Sequence, residues 1–222
     1  LWQAPQPGTS AILGYGIELS IDGEQWTNVK QVSPENLTAI VTGLTNGIAY
    51  RFRVAAVNKN GVGAWSTPSS LVTPVGPASA PVLLSAAAAA GRVELTWTTP
   101  EPNGSTIQGY AILQVGPDGM TSHMTGVGNS TTVTRLTNGD SYAFRIAAVT
   151  DYGIGNYSES SALVTPVSPP SVPLGLTAVA GDKSVWVSWT PPVDAGGMPL
   201  TNYLLEITSS AGVSTQLVDA NA

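Results

Sequence analysis

The sequence predicts an all-β chain made of antiparallel sandwiches arranged in tandem. One observation is the short runs in which apolar and polar residues alternate, as in Val93, Leu95 and Trp97, the pattern of half-buried strands. A second is the turn-forming residues between these runs, such as Asn138-Gly139. A third is an internal repeat whose period of 92 residues has the size of one small domain. Short strands separated by turns at this spacing favour a sandwich or a barrel.

The repeat divides the chain into three copies. The matching blocks are residues 44–47 with 136–139, and residues 50–57 with 142–149. This spacing predicts domains at residues 1–76, 77–168 and 169–222, which we call the first, second and third segments. The second is predicted to be complete, whereas the first lacks its N-terminal strands and the third lacks its C-terminal strands. We therefore expect the natural chain to continue beyond Ala222.

The elements of the second segment follow one another as short strands. An alanine run at residues 86–90 favours a helix by propensity. However, Pro81 precedes it, Gly91 follows it, and the aligned stretch at 176–180 is short and β-branched, so we interpret both stretches as a first strand. Further strands are predicted at 93–97, around 110–112, at 132–134 and at 142–148.

The spaced motifs of the chain resemble the fibronectin type III domain. The motifs are Leu-Thr-Trp-Thr-Thr-Pro at 95–100, residues 107–110, Leu136 with Asn138-Gly139, residues 142–149 and residues 158–166. The first segment shares the run at 44–57, and the third shares Trp189 and Tyr203. The resemblance implies seven-strand sandwiches in which strands A, B and E face strands C, C′, F and G. The chain is also similar to bacterial or phage-like surface arrays. The resemblance implies that Tyr50 and Tyr142 are tyrosine-corner residues.

Composition and charge exclude several classes of function. The 222 residues carry a net charge of −6, which argues against nucleic acid or an anionic membrane surface as a partner. No cysteine occurs, so disulfides, thiolate metal ligands and thiol nucleophiles are excluded. No run approaches the roughly 20 apolar residues that a spanning helix needs, so membrane insertion is not expected. Proline-rich linkers at 73–81 and 165–173 predict stiff, extended connections.

No catalytic constellation is visible, and we expect neither an enzyme nor a cofactor or metal. The single histidine, His123, falls in a stretch interpreted as a polar turn, where a solvated side chain is expected. Asp22 and Glu24 share one turn, Asp118 lies in the aligned turn, and no DxDxDG or HExxH motif occurs. We interpret these acids as solvated, with weak calcium binding as the alternative.

Trp186 is the strongest candidate for a protein contact. It alternates with Val185 and Val187, which are predicted to face the core, so its side chain is predicted to point outward from strand B. An outward tryptophan on a sandwich face favours contact with another chain or a ligand. The alternative is that it lies against its own linker or a neighbouring domain.

Three further aromatic residues are weaker candidates for protein contacts. Trp65 and Tyr157 align with each other near the start of strand G, where packing at the sheet edge is the favoured alternative. Tyr152 lies in the loop between strands F and G, which has no Arg-Gly-Asp integrin motif. Trp26 follows the first C–C′ turn and is predicted to clamp that hairpin.

These observations favour a non-catalytic spacer and protein-interaction segment of a larger extracellular or particle-surface protein. The expected partners are neighbouring domains or other copies of the chain, with surface polysaccharide as a further candidate. One alternative is an accessory region of a secreted polysaccharide-degrading enzyme, and another is a phage tail or capsid fibre component. The sparse charge leaves strand faces and edges open to lateral contacts, which favours assembly or adhesion.

Overall fold

A computed structural model describes residues 2–6 and 10–220, so Ala222 lies outside the described residues. Within those residues the chain forms strands and no α-helix. The strands are β1 (Ile12–Ser20), β2 (Thr27–Val32), β3 (Arg51–Asn58), β4 (Gly61–Val62), β5 (Leu83–Ala89), β6 (Arg92–Trp97), β7 (Ile107–Gly116), β8 (Gly119–Thr125), β9 (Ser130–Thr134), β10 (Ala143–Thr150), β11 (Gly153–Ile154), β12 (Leu174–Gly181), β13 (Ser184–Thr190), β14 (Asn202–Ser209) and β15 (Gly212–Asp219). Residues 86–89 of the alanine run lie in β5 and Ala90 lies in the turn that follows, which confirms the interpretation of the run as a strand.

The second segment is a two-sheet sandwich with the predicted seven strands. One sheet has the order β5-β6-β9, which corresponds to strands A, B and E. The other has the order β11-β10-β7-β8, which corresponds to strands G, F, C and C′. In β6 alternate residues enter the core: Val93, Leu95 and Trp97 are at most 2% exposed. Because the period of a strand is two, the intervening positions face away from the core.

The first and third segments contain parts of the same arrangement. In the first segment, β1 to β4 form a sheet in the order β2-β1-β3-β4, the C′, C, F and G strands. In the third segment, β12 pairs with β13 and β14 pairs with β15, as A with B and C with C′.

An edge-to-face pair of tryptophan and tyrosine recurs in each segment. The rings of Trp97 and Tyr110 have centroids 5.0 Å apart and lie at 66° to each other. The equivalent centroid distances are 5.5 Å for Trp2 with Tyr15 and 5.2 Å for Trp189 with Tyr203. In the second and third segments these pairs join strand B to strand C, and in all three segments they combine ring contact with favourable ring geometry.

The two predicted tyrosine corners are confirmed. The Tyr142 hydroxyl accepts a hydrogen bond from the Thr137 amide at 3.0 Å, and the Tyr50 hydroxyl accepts one from the Thr45 amide at 3.0 Å. Each tyrosine thereby ties the loop before strand F to the start of that strand, satisfying a backbone donor in a partly buried position.

Serine side chains hold the extended chain that follows β4 and β11 against strand F. Their hydroxyls accept hydrogen bonds from strand F amides at 3.0–3.1 Å: Ser66 from Val54, Ser69 from Phe52, Ser158 from Ile146 and Ser161 from Phe144. This pairing satisfies edge donors without a regular ladder, and it places Trp65 and Tyr157 beside strand F.

Backbone contacts group the chain into two compact units. One comprises 1–79 with 100–108 and 148–156, and the other comprises 80–99, 109–147 and 157–222. This grouping differs from the segments read from the repeat, since residues 77–79, 100–108 and 148–156 of the second segment are assigned to the same unit as the first segment. The segment boundaries after residues 76 and 168 therefore stay predictions.

Candidate functional site

Trp186 lies in the middle of β13 and is 77% exposed. It pairs directly with Val179 of β12, which is also exposed. Residues directly opposite each other in an antiparallel pair share a face, so the two side chains form one apolar patch on the outer face of this hairpin. The predicted outward orientation of Trp186 agrees with this exposure.

The neighbours of Trp186 depart in part from the prediction. Val187 is half-buried, but Val185 is 62% exposed although it lies on the same face as Val187 and Trp189. The physical reason is that burial needs a covering layer as well as the right face of the strand. The alternation along the strand therefore predicts which face the Val185 side chain lies on, but it does not predict how much of that side chain is exposed.

The indole of Trp186 reaches toward the turn that joins β12 to β13. A Cβ built on Gly181 would lie 3.7 Å from the indole Nε1 atom. The turn itself carries Asp182 and Lys183, both exposed, and Lys183 has a φ of 49°. An aromatic ring, a carboxylate and an ammonium group thus occur together at the tip of one hairpin.

Trp65 has an intramolecular partner. The guanidinium of Arg53 lies 4.8 Å from the ring centroid of Trp65 and 4.2 Å from that of Trp26, so the cation contacts both rings. Arg53 also donates through Nε and Nη2 to one carboxylate oxygen of Glu18, at 2.9 and 2.7 Å. This geometry corresponds to the packing alternative for Trp65. It also gives Trp26 a cation–π contact with strand F.

Tyr157 has a weaker version of the same contact. Arg145 lies over its ring at 5.7 Å from the centroid and donates from Nε to the Ser158 carbonyl at 3.0 Å. Tyr157 is half-buried, whereas Tyr152 is 55% exposed between β10 and β11. The four candidate residues therefore fall into two groups. Tyr152 and Trp186 are exposed to solvent, whereas Trp65 and Tyr157 contact arginine side chains.

Sequence reasoning missed the arginines. Both follow the phenylalanine of strand F, as Phe52-Arg53 and Phe144-Arg145, at the same repeat offset as Trp65 and Tyr157. An arginine and an aromatic residue repeated together, the arginine in strand F and the aromatic residue in the extended chain after strand G, were the signal that could have indicated a cation–π contact.

His123 is not in a turn, contrary to the prediction. It lies in β8 and pairs with Ile112 of β7. Its Nε2 is 3.2 Å from Gln114 Oε1 and 3.4 Å from Thr121 Oγ1, and the residue is exposed. The turn signal at Asp118-Gly119 is correct, but the hairpin strand resumes at once and includes the histidine.

Asp22 is engaged by its own turn. Its Oδ1 accepts hydrogen bonds from the amides of Gln25 and Glu24 and from the Ser20 hydroxyl, each at 2.8 Å. These donors, led by the Gln25 amide, lower the pKa of Asp22 below its ordinary value of 3.8. Across residues 2–6 and 10–220 no three histidine or acidic side chains gather in a geometry that could hold a metal ion.

The described residues contain open clefts that are lined by both apolar and polar side chains. One of about 560 Å³ lies in the third segment, against Leu176, Trp189 and Leu205. Two of about 860 and 620 Å³ lie in the first segment and share Trp2. A membrane-crossing helix is not found in the part of the chain that the structure describes.

The chain matches the family model of the fibronectin type III domain at residues 1–72 and 79–164. Curated relatives include human fibronectin type-III domain-containing protein 3A, 30% identical over 204 residues, which cover 85% of this chain and 17% of that protein. Human protein sidekick-1 is 30% identical over 206 residues, covering 86% of this chain and 9% of that protein. Human myomesin-2 is 28% identical over 224 residues, covering 92% of this chain and 15% of that protein.

These relatives are animal proteins, so they give no support to a bacterial or phage-like origin. The chain spans less than a fifth of the length of each of them. A solved structure, the chicken CNTN1 FN1-FN3 domains, aligns over 95% of this chain and 76% of that chain, at 18% identity and a TM-score of 0.45. With matches over most of its residues, the chain belongs to the fibronectin type III domain family.

Proposed function

We propose that the chain is a non-catalytic segment of a larger protein, and that it acts through protein contacts made by its exposed sandwich faces outside the cell or at its surface. The observation that carries the proposal is the 77% exposure of Trp186 beside Val179. Apolar surface removed from water contributes about 25 cal/mol per Å². Tryptophan is also enriched among the residues that dominate binding at protein interfaces.

The sparse charge of the chain supports this proposal. Only 10% of residues are charged, and many outward strand positions carry serine, threonine or alanine. Charged residues are depleted at the centres of protein interfaces, because each must be desolvated on binding. Faces of this composition therefore oppose the approach of a partner less than the ordinary charged surface of a soluble domain.

Few ionisable groups line the described clefts. The cleft against Trp189 is lined largely by apolar side chains and proline, with Glu206 and Tyr203 as its ionisable groups. A catalytic site requires a nucleophile, a base or a metal in mutual reach. His123, the base that the sequence offers, is exposed on β8 and contacts Gln114 and Thr121.

The test is attachment of beads coated with the chain to cultured animal cells and to each other. Trp186→Ala is expected to reduce attachment about tenfold or more, since truncating an aromatic hot spot costs about 2 kcal/mol. Ile40→Ala is the matched control, because Ile40 is also 77% exposed and lies in another segment. Amide hydrogen exchange of β12 and β13 checks that the substitution leaves the hairpin folded.

Unchanged attachment of the Trp186→Ala beads, with the hairpin intact, would refute the role proposed for this residue. An equal loss for Ile40→Ala would show that attachment reflects general stickiness of the surface. Attachment that falls for Trp186→Ala alone supports the proposal.

A further inference from the structure

Two equivalent arginines of the repeat differ in how far their guanidinium groups are satisfied. In the first segment Arg53 has a carboxylate partner, Glu18, and two aromatic rings. In the second segment Arg145 is exposed and contacts one ring, Tyr157, with one hydrogen bond to a backbone carbonyl. No ion pair includes Arg145 in the described part of the chain, where the two ion pairs are Arg53–Glu18 and Arg92–Glu94.

The missing partners of Arg145 can be identified from the registers of the two hairpins. Glu18 pairs with Arg53 directly across the sheet, and the alignment of Tyr15 with Tyr110 places Leu113 at the position of Glu18. A neutral side chain thus replaces the carboxylate.

The second aromatic ring is replaced in the same way. In the first hairpin Leu19 pairs with Thr27, so Trp26 continues that register opposite Ser20. The matching pair of the second hairpin is Val115 with Met120. Met120 is 68% exposed, and Val115 is also exposed.

These residues form what we call the acceptor face, comprising Leu113, Val115, Met120, Arg145 and Tyr157. Tyr110 and Ile112 of β7 and Phe144 and Ile146 of β10 are buried, so the alternate positions 113, 115 and 145 point to the opposite, outer side of the sheet. The acceptor face therefore presents the Arg145 guanidinium with one side open to solvent and apolar side chains around it. Compared with Arg53 in the first segment, Arg145 has one aromatic ring fewer and no carboxylate partner.

An exposed aromatic ring and an exposed carboxylate, the two groups that Arg145 lacks, occur together elsewhere in the chain. The donor tip is the turn of the β12–β13 hairpin with its exposed ring: Asp182, Lys183 and Trp186. No hydrogen bond or ion pair engages Asp182 within the described residues. The Trp186 indole leans toward the same turn, as its distance to Gly181 shows.

We propose that the donor tip of one copy of the chain docks on the acceptor face of a second copy. The Trp186 ring stacks on the open side of the Arg145 guanidinium, and the Asp182 carboxylate accepts hydrogen bonds from it. Val179, beside the indole, packs on Met120. This contact reproduces between copies the arrangement of Glu18, Arg53 and Trp26 inside the first segment, and it rests on the function proposed for Trp186.

The charges around this contact are complementary. Lys183 of the tip meets a surface that offers Asp118, an exposed carboxylate in the turn between β7 and β8. One hairpin end against one sheet face is smaller than the roughly 1,600 Å² of a standard stable interface, so the association of two soluble copies is weak and depends on concentration. Many copies held on one surface strengthen it through multivalency.

Charge reversal tests the contact. Sedimentation equilibrium of the 222-residue chain over a range of concentrations gives the self-association constant of the wild type. Arg145→Glu alone, and Asp182→Arg alone, are each expected to weaken association about thirtyfold or more, because each opposes two like charges at the contact. The double variant Arg145→Glu with Asp182→Arg restores the charge pair with reversed polarity but not the stacking of Trp186 on a guanidinium, so it is expected to associate about fivefold or more tightly than either single variant.

Ile40→Ala serves as the control for unspecific association and is expected to leave the constant unchanged. Far-ultraviolet circular dichroism and thermal melting of each variant check the fold. A wild-type chain that stays monomeric at every concentration overturns the inference. So does self-association that neither single reversal weakens, or that the double variant does not recover in part.

The outcomes separate this inference from the proposed function. If bead attachment to cells requires Trp186 while the wild-type chain does not self-associate, the proposed function stands and the second copy is the wrong partner. If Trp186→Ala changes neither attachment nor self-association, both fail. Loss of both measurements with Trp186→Ala, and rescue of self-association by the double reversal, supports both.

Discussion

Replacement of Arg53 by alanine tests whether the cation–π contact stabilises the first segment. Arg53 and Glu18 are 25% and 16% exposed, so their pair is partly shielded from water and contributes about 1–2 kcal/mol. Each of the two rings at 4.2 and 4.8 Å adds about 0.5–1 kcal/mol. The expected loss of local stability for Arg53→Ala is therefore about 3 kcal/mol.

The repeat supplies a matched control at the equivalent position. Arg145 has one ring at 5.7 Å, near the outer limit for such contacts, and one hydrogen bond to a carbonyl. Arg145→Ala is expected to cost about 1 kcal/mol, because the side chain is exposed and much of its interaction is with water.

Amide hydrogen exchange resolved by peptide measures each effect where it occurs. Arg53→Ala is expected to speed exchange in β1 and β3 by about 150-fold, at a factor of ten for every 1.4 kcal/mol. Arg145→Ala is expected to speed exchange in β7 and β10 by about fivefold. Equal effects at both sites, or an Arg53→Ala effect below about threefold, would refute the reasoning that the second ring and the carboxylate make the difference.

Three further predictions concern single elements. Tyr142→Phe removes the acceptor of the Thr137 amide and is expected to destabilise the second segment by about 1–2 kcal/mol in denaturant unfolding, with unchanged stability refuting the corner's contribution. Gly14→Ala places a Cβ 2.6 Å from the Val32 carbonyl oxygen, so exchange in β2 should rise, and unaltered protection there would contradict the clash. The pKa of Asp22 is lowered in the folded state. The carboxylate of Asp22 therefore contributes its full stabilisation above the unfolded value of 3.8, and this stabilisation is lost as the pH falls through the lower folded pKa. An NMR titration of the Asp22 carboxyl that gives a pKa at or above 3.8 would contradict this.

Sequence reasoning recovered the strands well because their physical cause is local. The alternation of Val93, Leu95 and Trp97 follows from the two-residue period of a strand, and all three are buried. The alanine run illustrates a harder case, in which propensity favours a helix. Its flanking turn residues and the aligned copy at 176–180 predicted the strand correctly, since the repeat allowed one copy to inform another.

The candidate contacts were less predictable. Trp65 and Trp186 were both candidates for protein contacts, Trp65 with packing at the sheet edge as the favoured alternative. Trp65 contacts Arg53, which comes from a different strand, whereas Trp186 has Val179 as its exposed pair. Which residues stand on the neighbouring strand depends on register, and register is set by pairings between positions far apart in the chain.

The sequence alone determined the fold class and the repeat, because alternation, turn residues and a fixed offset are properties of neighbouring or aligned positions. The tyrosine corners followed from the resemblance to the fibronectin type III domain. Only the tertiary structure decided which charged and aromatic side chains have partners within the chain. It showed that Arg53 meets a carboxylate and two rings while the equivalent Arg145 meets one ring. The physical reason is that the free energy of a charged side chain depends on what is packed against it, and two strands with the same pattern can bring different partners.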